Sequence, residues 1–487
     1  MEQAAETASK KKTPKSCPHA KKCGGCQLQH LSYAEQLTRK ETKVRKLIGK
    51  YCRVKPIFGM SNPLHYRNKV HAAFGYDRYK HRVVSGIYKP STHIIVPVND
   101  CMIEDQLSDA IIADIRKMLP SFKIQAYDEQ TERGFLRHVL VRRGFTTGEV
   151  MVVLVASSPI FPTQKPFVKK LLELHPEIKT VVLNINSAFT SMVLGDREKV
   201  IYGKGYIEDE LCGKTFRISP KSFYQVNPVQ TELLYKTAVE LADIGRNDIV
   251  LDAYCGIGTI GMIASDRAGK VIGVESNRDA VRDAIANAKS NGITNCWFVA
   301  ADASDYMSQM AEEGARADVV FMDPPRTGSD ERFIKALIKM GPPKVVYVSC
   351  NPETLERDLK LLVSGGYKAV TAQPVDMFPY TEHVETVVLL GRKMVDAPKH
   401  VTIDYDVPTD INFTHSATYA EIKAWIQEHY NGMKVSSLYV AQIKDKHGLE
   451  KRENYNKAKK PDVKVPQCPP EKEEAIEAAL RHFRMID

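Results

Sequence analysis

One cysteine stands where a nucleophile could be held beside a ligand crevice. Cys350 follows the apolar run 345–348 and precedes Asn351 and Pro352, and proline commonly occupies the first position of a helix. A thiol at a helix N-terminus lies near the positive end of the helix dipole, so we expect a lowered pKa and a reactive thiolate. The alternative is a small buried structural cysteine. The position at a strand end favours the reactive interpretation.

Carboxylates end several neighbouring apolar runs in the same way. Asp252, Glu275, Asp302 and Asp323 each close or follow one such run, and Glu385 lies in the last run, 384–390. Ligands of open α/β sheets bind at the carboxyl ends of the strands, so we expect these acids to share one edge with Cys350. Helix capping is the alternative role, above all for Asp302.

A doubly wound sheet would position these residues. Short apolar runs at 249–253, 271–275, 297–300, 319–322 and 345–348 alternate with helical patterns, which is typical of a parallel α/β sheet. The run 384–390 has no helix behind it and is predicted to be an edge strand. We divide the chain into a basic tail (1–16), a mixed α/β region (17–215), a Rossmann-like α/β domain (216–395) and a basic helical extension (396–487).

A glycine-rich turn follows the first of these strands. Gly256, Gly258 and Gly261 match the dinucleotide pattern G-x-G-x-x-G formally, but that match alone is weak. A dinucleotide site would hold a pyrophosphate at the helix N-terminus. S-adenosylmethionine has no phosphate, and acidic side chains can bind its ribose hydroxyls and its ammonium group. Glu275, placed for a ribose, and Asp302, placed for an adenine edge, favour S-adenosylmethionine.

The loop after the fourth strand narrows the chemistry. Two prolines stiffen the turn after Asp323, and Arg326 follows them, where amino-methyltransferases have an aromatic residue that stacks on the base. A thiolate beside a methyl donor suits carbon 5 of a pyrimidine, which becomes nucleophilic when a thiolate adds to carbon 6. A base must then remove the proton from carbon 5, and Glu385 is the candidate.

Three cysteines crowd into the N-terminal region. Cys17, Cys23 and Cys26 lie within ten residues, and Cys101 is the best fourth ligand. Four thiolates suit either zinc or an iron–sulfur cluster, and the spacing departs from both zinc ribbons and radical-SAM enzymes. With ten cysteines in 487 residues and no secretory signal, a disulfide scaffold is not expected.

Charge and aromatic residues point toward RNA. The net charge is +10, and the segment 64–93 interleaves aromatic residues with cations: Tyr66, Phe74, Tyr76, Tyr79 and Tyr88 with Arg67, Lys69, Arg78, Lys80, Arg82 and Lys89. Such a surface can stack bases and hold phosphates of single-stranded RNA, although a solvated basic strand pair would look similar. No apolar run is long enough to span a membrane, and we expect a cytoplasmic monomer.

The chain resembles the bacterial 23S rRNA (uracil-5-)-methyltransferase family between about residues 17 and 391. The resemblance is carried by the N-terminal cysteines, by residues 66–69 and 222–227, by the glycine loop, and by residues 323–326, 349–352 and 383–385. It implies that Gln225, Tyr254, Glu275 and Asp323 line the cofactor and uridine pocket. It also implies that Cys350 is the nucleophile, that Glu385 accepts the proton, and that Cys17, Cys23, Cys26 and Cys101 hold a 4Fe–4S cluster. Thr259 stands where Asn is common in the family.

Other functions are compatible with parts of this pattern. A tRNA uracil-5 enzyme would share the catalytic half but lack the cluster cysteines, which makes 23S rRNA the predicted partner. An RNA cytosine-5 enzyme would carry a second cysteine in the loop where Pro324, Pro325 and Arg326 stand. A non-catalytic rRNA-binding assembly factor would not need Cys350 or Glu385.

Overall fold

The computed structural model describes residues 17–188, 192–392, 419–430, 432–447, 468–483 and 485–486. It divides into two compact units, Met1–Pro398 and Lys399–Asp487. Within the described ranges, no helix is both long and apolar enough to cross a membrane. The tail 1–16 predicted from the sequence lies outside the described residues.

The strands are β1 (Arg53–Val54), β2 (Lys69–Asp77), β3 (Arg82–Tyr88), β4 (Ile95–Pro97), β5 (Leu136–Arg143), β6 (Val150–Ala156), β7 (Ile178–Ile185), β8 (Arg197–Tyr202), β9 (Ile207–Leu211), β10 (Lys214–Ile218), β11 (Ile249–Asp252), β12 (Lys270–Glu275), β13 (Cys296–Ala300), β14 (Val319–Met322), β15 (Lys344–Ser349), β16 (Tyr367–Val375) and β17 (Glu385–Arg392). The helices are α1 (Ala20–Cys23), α2 (Tyr33–Ile48), α3 (Gln106–Ser121), α4 (Gln164–Leu174), α5 (Pro228–Ala242), α6 (Thr259–Ala264), α7 (Arg278–Ser290), α8 (Ala303–Glu312), α9 (Glu331–Met340), α10 (Pro352–Ser364), α11 (Tyr419–His429), α12 (Ser437–Lys446) and α13 (Pro470–His482).

An eight-stranded sheet forms the body of the predicted Rossmann-like domain. Its order is β1-β16-β17-β15-β14-β11-β12-β13, with parallel pairing from β15 through β14, β11 and β12 to β13. These five strands match the apolar runs identified in the sequence to within one residue. Their residues are apolar on both faces because helices cover both sides of a parallel sheet. The predicted α/β, Rossmann-like fold class is confirmed.

The prediction of an edge strand at 384–390 is wrong. The strand β17 pairs antiparallel with both β15 and β16, so it lies inside the sheet. Its residues Val387, Val388 and Leu390 are fully buried. The absence of a following helix suggests an edge strand. A strand that pairs antiparallel with its neighbours needs no crossover helix, however, and the segment that connects β16 to β17 is sufficient.

The N-terminal segment is divided between the two sheets. The helix α2, which a complete Ser32–Glu35 capping box opens, packs on α10, and β1 pairs with β16 at the edge of the eight-stranded sheet. Residues 33–54 therefore pack on the eight-stranded sheet and its helices, although the sequence assigned them to the region 17–215. The buried ion pair of Lys40 with Asp376 joins α2 to the turn after β16.

A seven-stranded sheet, ordered β4-β3-β2-β5-β6-β7-β8, occupies residues 69–202. It is antiparallel except for the β6–β7 pair. One face packs on α3 and α4, in a core with Val139, Val152 and Phe167. The other face contributes Leu140 and Val153 to the core that contains Phe216 and Leu234. The second face therefore looks toward the eight-stranded sheet and its helices.

The second compact unit holds α11, α12 and α13 around one apolar cluster. Ile422 and Ile426 are buried there, as their spacing predicts. The cap of α12 is Ser436, which accepts from the Tyr439 N–H. Thr418 and the lysines at 451, 457, 459, 460 and 464 lie outside the described residues.

Candidate functional site

The glycine loop and Glu275 form one end of the site. After β11 the backbone takes positive φ at Gly256 (55°) and Gly258 (85°), which residues with a Cβ rarely adopt. A Cβ at Gly258 would also lie 2.6 Å from the Met262 side chain. The Gly256 N–H donates to Glu275 at 3.2 Å, and the Asn277 N–H donates to the same carboxylate at 2.7 Å. Glu275 is thereby fixed beside the glycine turn.

Two acids lie beneath this loop. Asp252 is fully buried and accepts from the Gly261 N–H at 2.9 Å, while its other oxygen has no hydrogen-bond partner among the described residues. Burial raises its pKa to about 7. Burial and the charge of Asp252 raise the pKa of Asp323 to about 7 as well. Two neighbouring buried acids can interact favourably with a cationic ligand, such as the sulfonium and ammonium groups of S-adenosylmethionine.

Tyr235 connects these acids with the rest of the site. It lies on α5, fully enclosed, and its hydroxyl interacts with the side chains of Thr259 and Gln225. Burial and the charge of Asp323 raise its pKa above the usual range. The Thr259 side chain therefore has a defined partner in this chain. Sequence reasoning missed Tyr235 because nothing in the local pattern of an amphipathic helix distinguishes it.

Cys350 and Glu385 are brought together by strand register. In the antiparallel pair of β15 and β17, Val348 is opposite Val387 and Ser349 is opposite Thr386. Glu385 is the first residue of β17 and Cys350 follows the last residue of β15, so this register brings the two residues close together, and the charge of Glu385 acts on the Cys350 thiol. Glu385 is 3% exposed, whereas Cys350 is half-buried, so the thiol is the more accessible of the two groups.

The expected lowering of the Cys350 pKa is wrong. Burial, with the charges of Glu385 and Asp323, raises the thiol pKa to about 12, and Arg326 and a backbone hydrogen bond only partly oppose that shift. Burial, with Asp323 also contributing, raises the Glu385 pKa to about 8.

Side chains from the seven-stranded side hold the loop that contains the motif 222–227. Asn68 donates from its side chain to the Gln225 carbonyl at 3.1 Å, and Arg142 donates to the Ser222 carbonyl at 2.5 Å. Gln225 is 8% exposed, while Phe223 on the same loop is 67% exposed. An exposed phenyl ring held on a rigid loop could stack on a base. Its position within the motif 222–227 was the available signal.

Asp302 and Tyr254 lie at the other end of the strand edge. Asp302 caps α8 by accepting from the Ser304 and Asp305 N–H groups, and its side chain is 58% exposed. The alternative role of helix capping is therefore present. The Tyr254 hydroxyl lies 3.0 Å from the Ser329 hydroxyl, and its ring packs on Phe333. Both residues border the strand edge, and neither side chain forms a hydrogen bond or ring contact with Cys350 or Glu385.

The four N-terminal cysteines are free thiols in one region of the fold. Cys26 and Cys101 pack in the same small cluster with Tyr66 and Tyr380, and the Cys23 sulfur accepts from the Gly25 N–H at 3.4 Å. Burial raises the pKa of Cys26 to about 11. Across the described residues, however, no group of three or more Cys, His, Asp and Glu side chains is arranged to hold a metal ion.

The aromatic residues of the segment 64–93 separate into two sets. Tyr66 and Phe74 are 2% and 3% exposed, so they cannot stack on bases. Tyr76 and Tyr79 are exposed, and with Tyr88 they line a cavity of about 610 Å³ at the β2–β3–β4 end of the sheet. The sequence pattern did not separate the two sets because strand alternation alone does not say which face is covered.

Comparison with known proteins decides the family. The family model described as tRNA (Uracil-5-)-methyltransferase matches residues 32–393. The chain belongs to the RNA (uracil-5-)-methyltransferase family. It is therefore an S-adenosylmethionine-dependent enzyme that methylates carbon 5 of uridine in RNA.

Relatives and a solved structure agree with that family. Uncharacterized RNA methyltransferases from Caldanaerobacter subterraneus and Oceanobacillus iheyensis are each 44% identical; the alignments cover 77% and 76% of this chain and 84% and 82% of theirs. The crystal structure of a Pyrococcus abyssi tRNA (uracil-54, C5)-methyltransferase in complex with S-adenosyl-L-homocysteine superposes with a TM-score of 0.64. It is 29% identical and covers 76% of this chain and 86% of its own.

Proposed function

We propose that this enzyme methylates carbon 5 of a specific uridine in 23S rRNA, with Cys350 as the covalent nucleophile and Glu385 as the base. The observation that supports the roles of these two residues is their proximity where β15 ends and β17 begins, with a half-buried thiol near a buried carboxyl. A nucleophile and a base on the same side of one small site are what addition and elimination at neighbouring ring carbons require.

The reaction consists of addition, methylation and elimination. The Cys350 sulfur bonds to carbon 6 of the uracil ring, and the electron pair of the 5,6 double bond moves into an enolate. S-adenosylmethionine, when bound, would supply an electrophilic methyl group to carbon 5, while its sulfur would keep the electron pair of the broken bond and leave as S-adenosyl-L-homocysteine. Glu385 then removes the proton from carbon 5, the 5,6 double bond re-forms and the thiolate leaves. One proton is released overall.

The charges around the pair suit this sequence. The raised pKa of Glu385, about 8, makes its carboxylate a stronger base than an ordinary one, once the carboxyl has given up its own proton. Arg326 lowers the pKa of both Cys350 and Glu385, and its guanidinium can stabilise negative charge that develops on the ring or the sulfur. Loss of the thiol proton must be assisted, because the Cys350 pKa is raised.

The methyl donor would occupy the acidic end of the site. We assign its binding to Gly256 and Gly258 of the glycine turn, to Glu275 for the ribose, and to Asp323 near the donor's positive charge. Gln225 and Tyr254 complete the pocket walls, and Asp302 would approach the adenine edge. Of these assignments Asp302 has the weakest support, because its carboxylate already caps α8.

We also propose that Cys17, Cys23, Cys26 and Cys101 hold a 4Fe–4S cluster. The shared region of the fold, the half-buried sulfurs and the N–H donated to Cys23 support this set. Anaerobic purification followed by iron, sulfide and zinc analysis tests it. We expect iron and sulfide in the intact chain and their loss in Cys26→Ser, with retention in the control Cys468→Ser. Zinc in place of iron and sulfide would overturn the proposal.

The choice of RNA is tested in cells. Mass mapping of RNA from a strain that lacks the gene should show one or more lost methyl groups on 23S rRNA uridines. A tRNA target is the second candidate, because the structural relative from Pyrococcus abyssi is a tRNA (uracil-54, C5)-methyltransferase. Loss of 5-methyluridine from tRNA with intact rRNA would establish that alternative.

A further inference from the structure

The seven-stranded sheet carries a strip of basic residues, Lys69, His71 and His138, on the face that is directed toward the eight-stranded sheet and its helices. In the register of β2 and β5, Lys69 is opposite Arg142, His71 is opposite Leu140, and Ala73 is opposite His138. Side chains at alternate positions share a face, so Lys69, His71 and His138 lie on the same side as Leu140. Leu140 belongs to the core that the seven-stranded sheet shares with the eight-stranded sheet and its helices. The His71 and His138 rings are 4.9 Å apart.

The strip has no anionic partner among the residues that the structure describes. Among the described residues, the Lys69 ammonium group forms no ion pair with a carboxylate and no hydrogen bond. The His71 Nε2 and His138 Nδ1 atoms are buried and likewise lack partners. His138 is 6% exposed, so these are not ordinary surface groups in contact with water.

The neighbours of the strip are also positive. Lys69 is influenced by Arg67 and Arg142, His71 by Lys69, and His138 by His71 and Arg137. Together with burial, these charges lower the pKa of Lys69 to about 8 and that of His71 to about 4. Unsatisfied donors in an uncompensated positive field are expected where an anion binds.

The strip begins beside the catalytic loop. Lys69 is the register partner of Arg142, whose guanidinium holds the Ser222 carbonyl, and it follows Asn68, whose side chain holds the Gln225 carbonyl. At its other end, His138 contacts Tyr88 edge-on at 6.3 Å, and Tyr88 lines the aromatic cavity. The strip thus extends from the loop that carries the exposed Phe223 toward a set of tyrosines.

We propose that Lys69, His71 and His138 bind a phosphodiester group of the RNA strand next to the target uridine. The proposal rests on the proposed function only for the identity of the RNA, and deepens it by naming residues that hold the strand. A ribonucleotide chain supplies a phosphate at every step and bases at its sides, which matches a basic strip bordered by aromatic side chains.

The test measures RNA binding without catalysis. In a Cys350→Ala background, binding of a fluorescent single-stranded oligouridylate is titrated over a range of salt concentrations. The added change Lys69→Gln should raise Kd several-fold at low salt and make the slope of log K against log salt shallower by about 0.7, as loss of one phosphate contact requires. Lys69→Arg should restore the slope, and His138→Asn should weaken binding.

The matched control is Lys169→Gln, which removes the same charge from an exposed position on α4, on the opposite face of the sheet. Affinity for S-adenosylmethionine should stay unchanged in all variants, and the unfolding midpoint should not fall. A slope unaffected by Lys69→Gln, or affected equally by Lys169→Gln, would overturn the phosphate site. Wild-type enzyme that transfers no methyl group to any RNA, with the slope change present, would instead overturn the proposed function alone.

Discussion

Two regions of the molecule bury ionisable groups in surroundings that favour their neutral forms, acids in one region and bases in the other. The carboxyl edge of the eight-stranded sheet gathers Asp252, Asp323 and Glu385, whose pKa values are raised to between about 7 and 8. The inner face of the seven-stranded sheet gathers Lys69 and His71, whose pKa values are lowered. Uncompensated charge costs folding free energy, so each region is expected to meet a ligand of the opposite sign.

A third place shows what compensation looks like. Lys40 and Asp376 are both buried, and their ion pair has an N–O distance of 2.5 Å. Lys40 also donates to the Phe378 carbonyl, and the Tyr33 hydroxyl donates to Asp376. Every charge there has a partner within the chain, so this pair holds the fold together and has no need of a ligand. The contrast predicts different effects of mutation in the three places.

The largest effect is expected at the nucleophile. Cys350→Ala should lower the rate of methyl transfer by at least about 10⁴-fold, because no neighbouring group can replace the covalent bond to the ring. Single-turnover transfer of a labelled methyl group to unmodified RNA measures it. Cys52→Ala, a half-buried thiol elsewhere, is the control and should keep its activity. Normal turnover by Cys350→Ala would exclude the mechanism.

Glu385→Gln should reduce turnover by about 10²- to 10⁴-fold, in the range of lost general-base catalysis. Its signature is different from that of the alanine variant, since addition and methylation remain possible while elimination stalls. A protein–RNA adduct that resists denaturation should therefore accumulate on gels. The absence of an adduct, with turnover near that of the wild type, would mean that another group takes the proton.

The sequence predicted the strands of the parallel sheet and the residues that end them. It did so because burial on both faces produces continuous apolar runs, and because chemistry concentrates where such runs stop. It did not predict that β17 lies inside the sheet, which is what places Glu385 near Cys350. Strand order depends on pairing between distant segments, and one strand's own residues do not specify its neighbour.

Two further features, the Cys350 pKa and the basic strip, show the same limit of sequence-based prediction. The helix-terminus argument for Cys350 considered only its own chain neighbours, whereas burial in the folded chain, together with Glu385 and Asp323 from other segments, raises the pKa. The basic strip was equally hidden: Lys69 is conspicuous in sequence, but His71 and His138 acquire meaning only from the β2–β5 register. Charges brought together by tertiary structure decide both cases.

Breaking the compensated pair should cost stability more than activity. Lys40→Met leaves Asp376 buried with only the Tyr33 hydroxyl as a partner, and we expect a loss of about 3–5 kcal/mol in the free energy of unfolding. Denaturant titration measures it. Lys335→Met removes one member of an exposed pair with Glu331 and should change stability by less than about 1 kcal/mol. Equal effects of the two substitutions would show that Lys40 is not desolvated as the structure indicates.

The smallest effect, and the one that tests the sign of the comparison, is expected at Asp323. The raised pKa means that ionising this carboxyl destabilises the fold, so its contribution to stability is present below about pH 4 and is lost as pH rises through about 7. Asp323→Asn cannot ionise, and without ligand it should be more stable than the wild type above pH 7, by about 1–2 kcal/mol after allowance for partial exposure. The advantage should vanish toward pH 4.

The same variant should bind S-adenosylmethionine more weakly, because the donor's positive charge loses its counter-charge. Unfolding curves at pH 5 and pH 8, with and without the methyl donor, measure both effects. If Asp323→Asn were less stable at pH 8 in the absence of ligand, the carboxylate would already be compensated within the chain, and the difference between the catalytic edge and the Lys40–Asp376 pair would disappear.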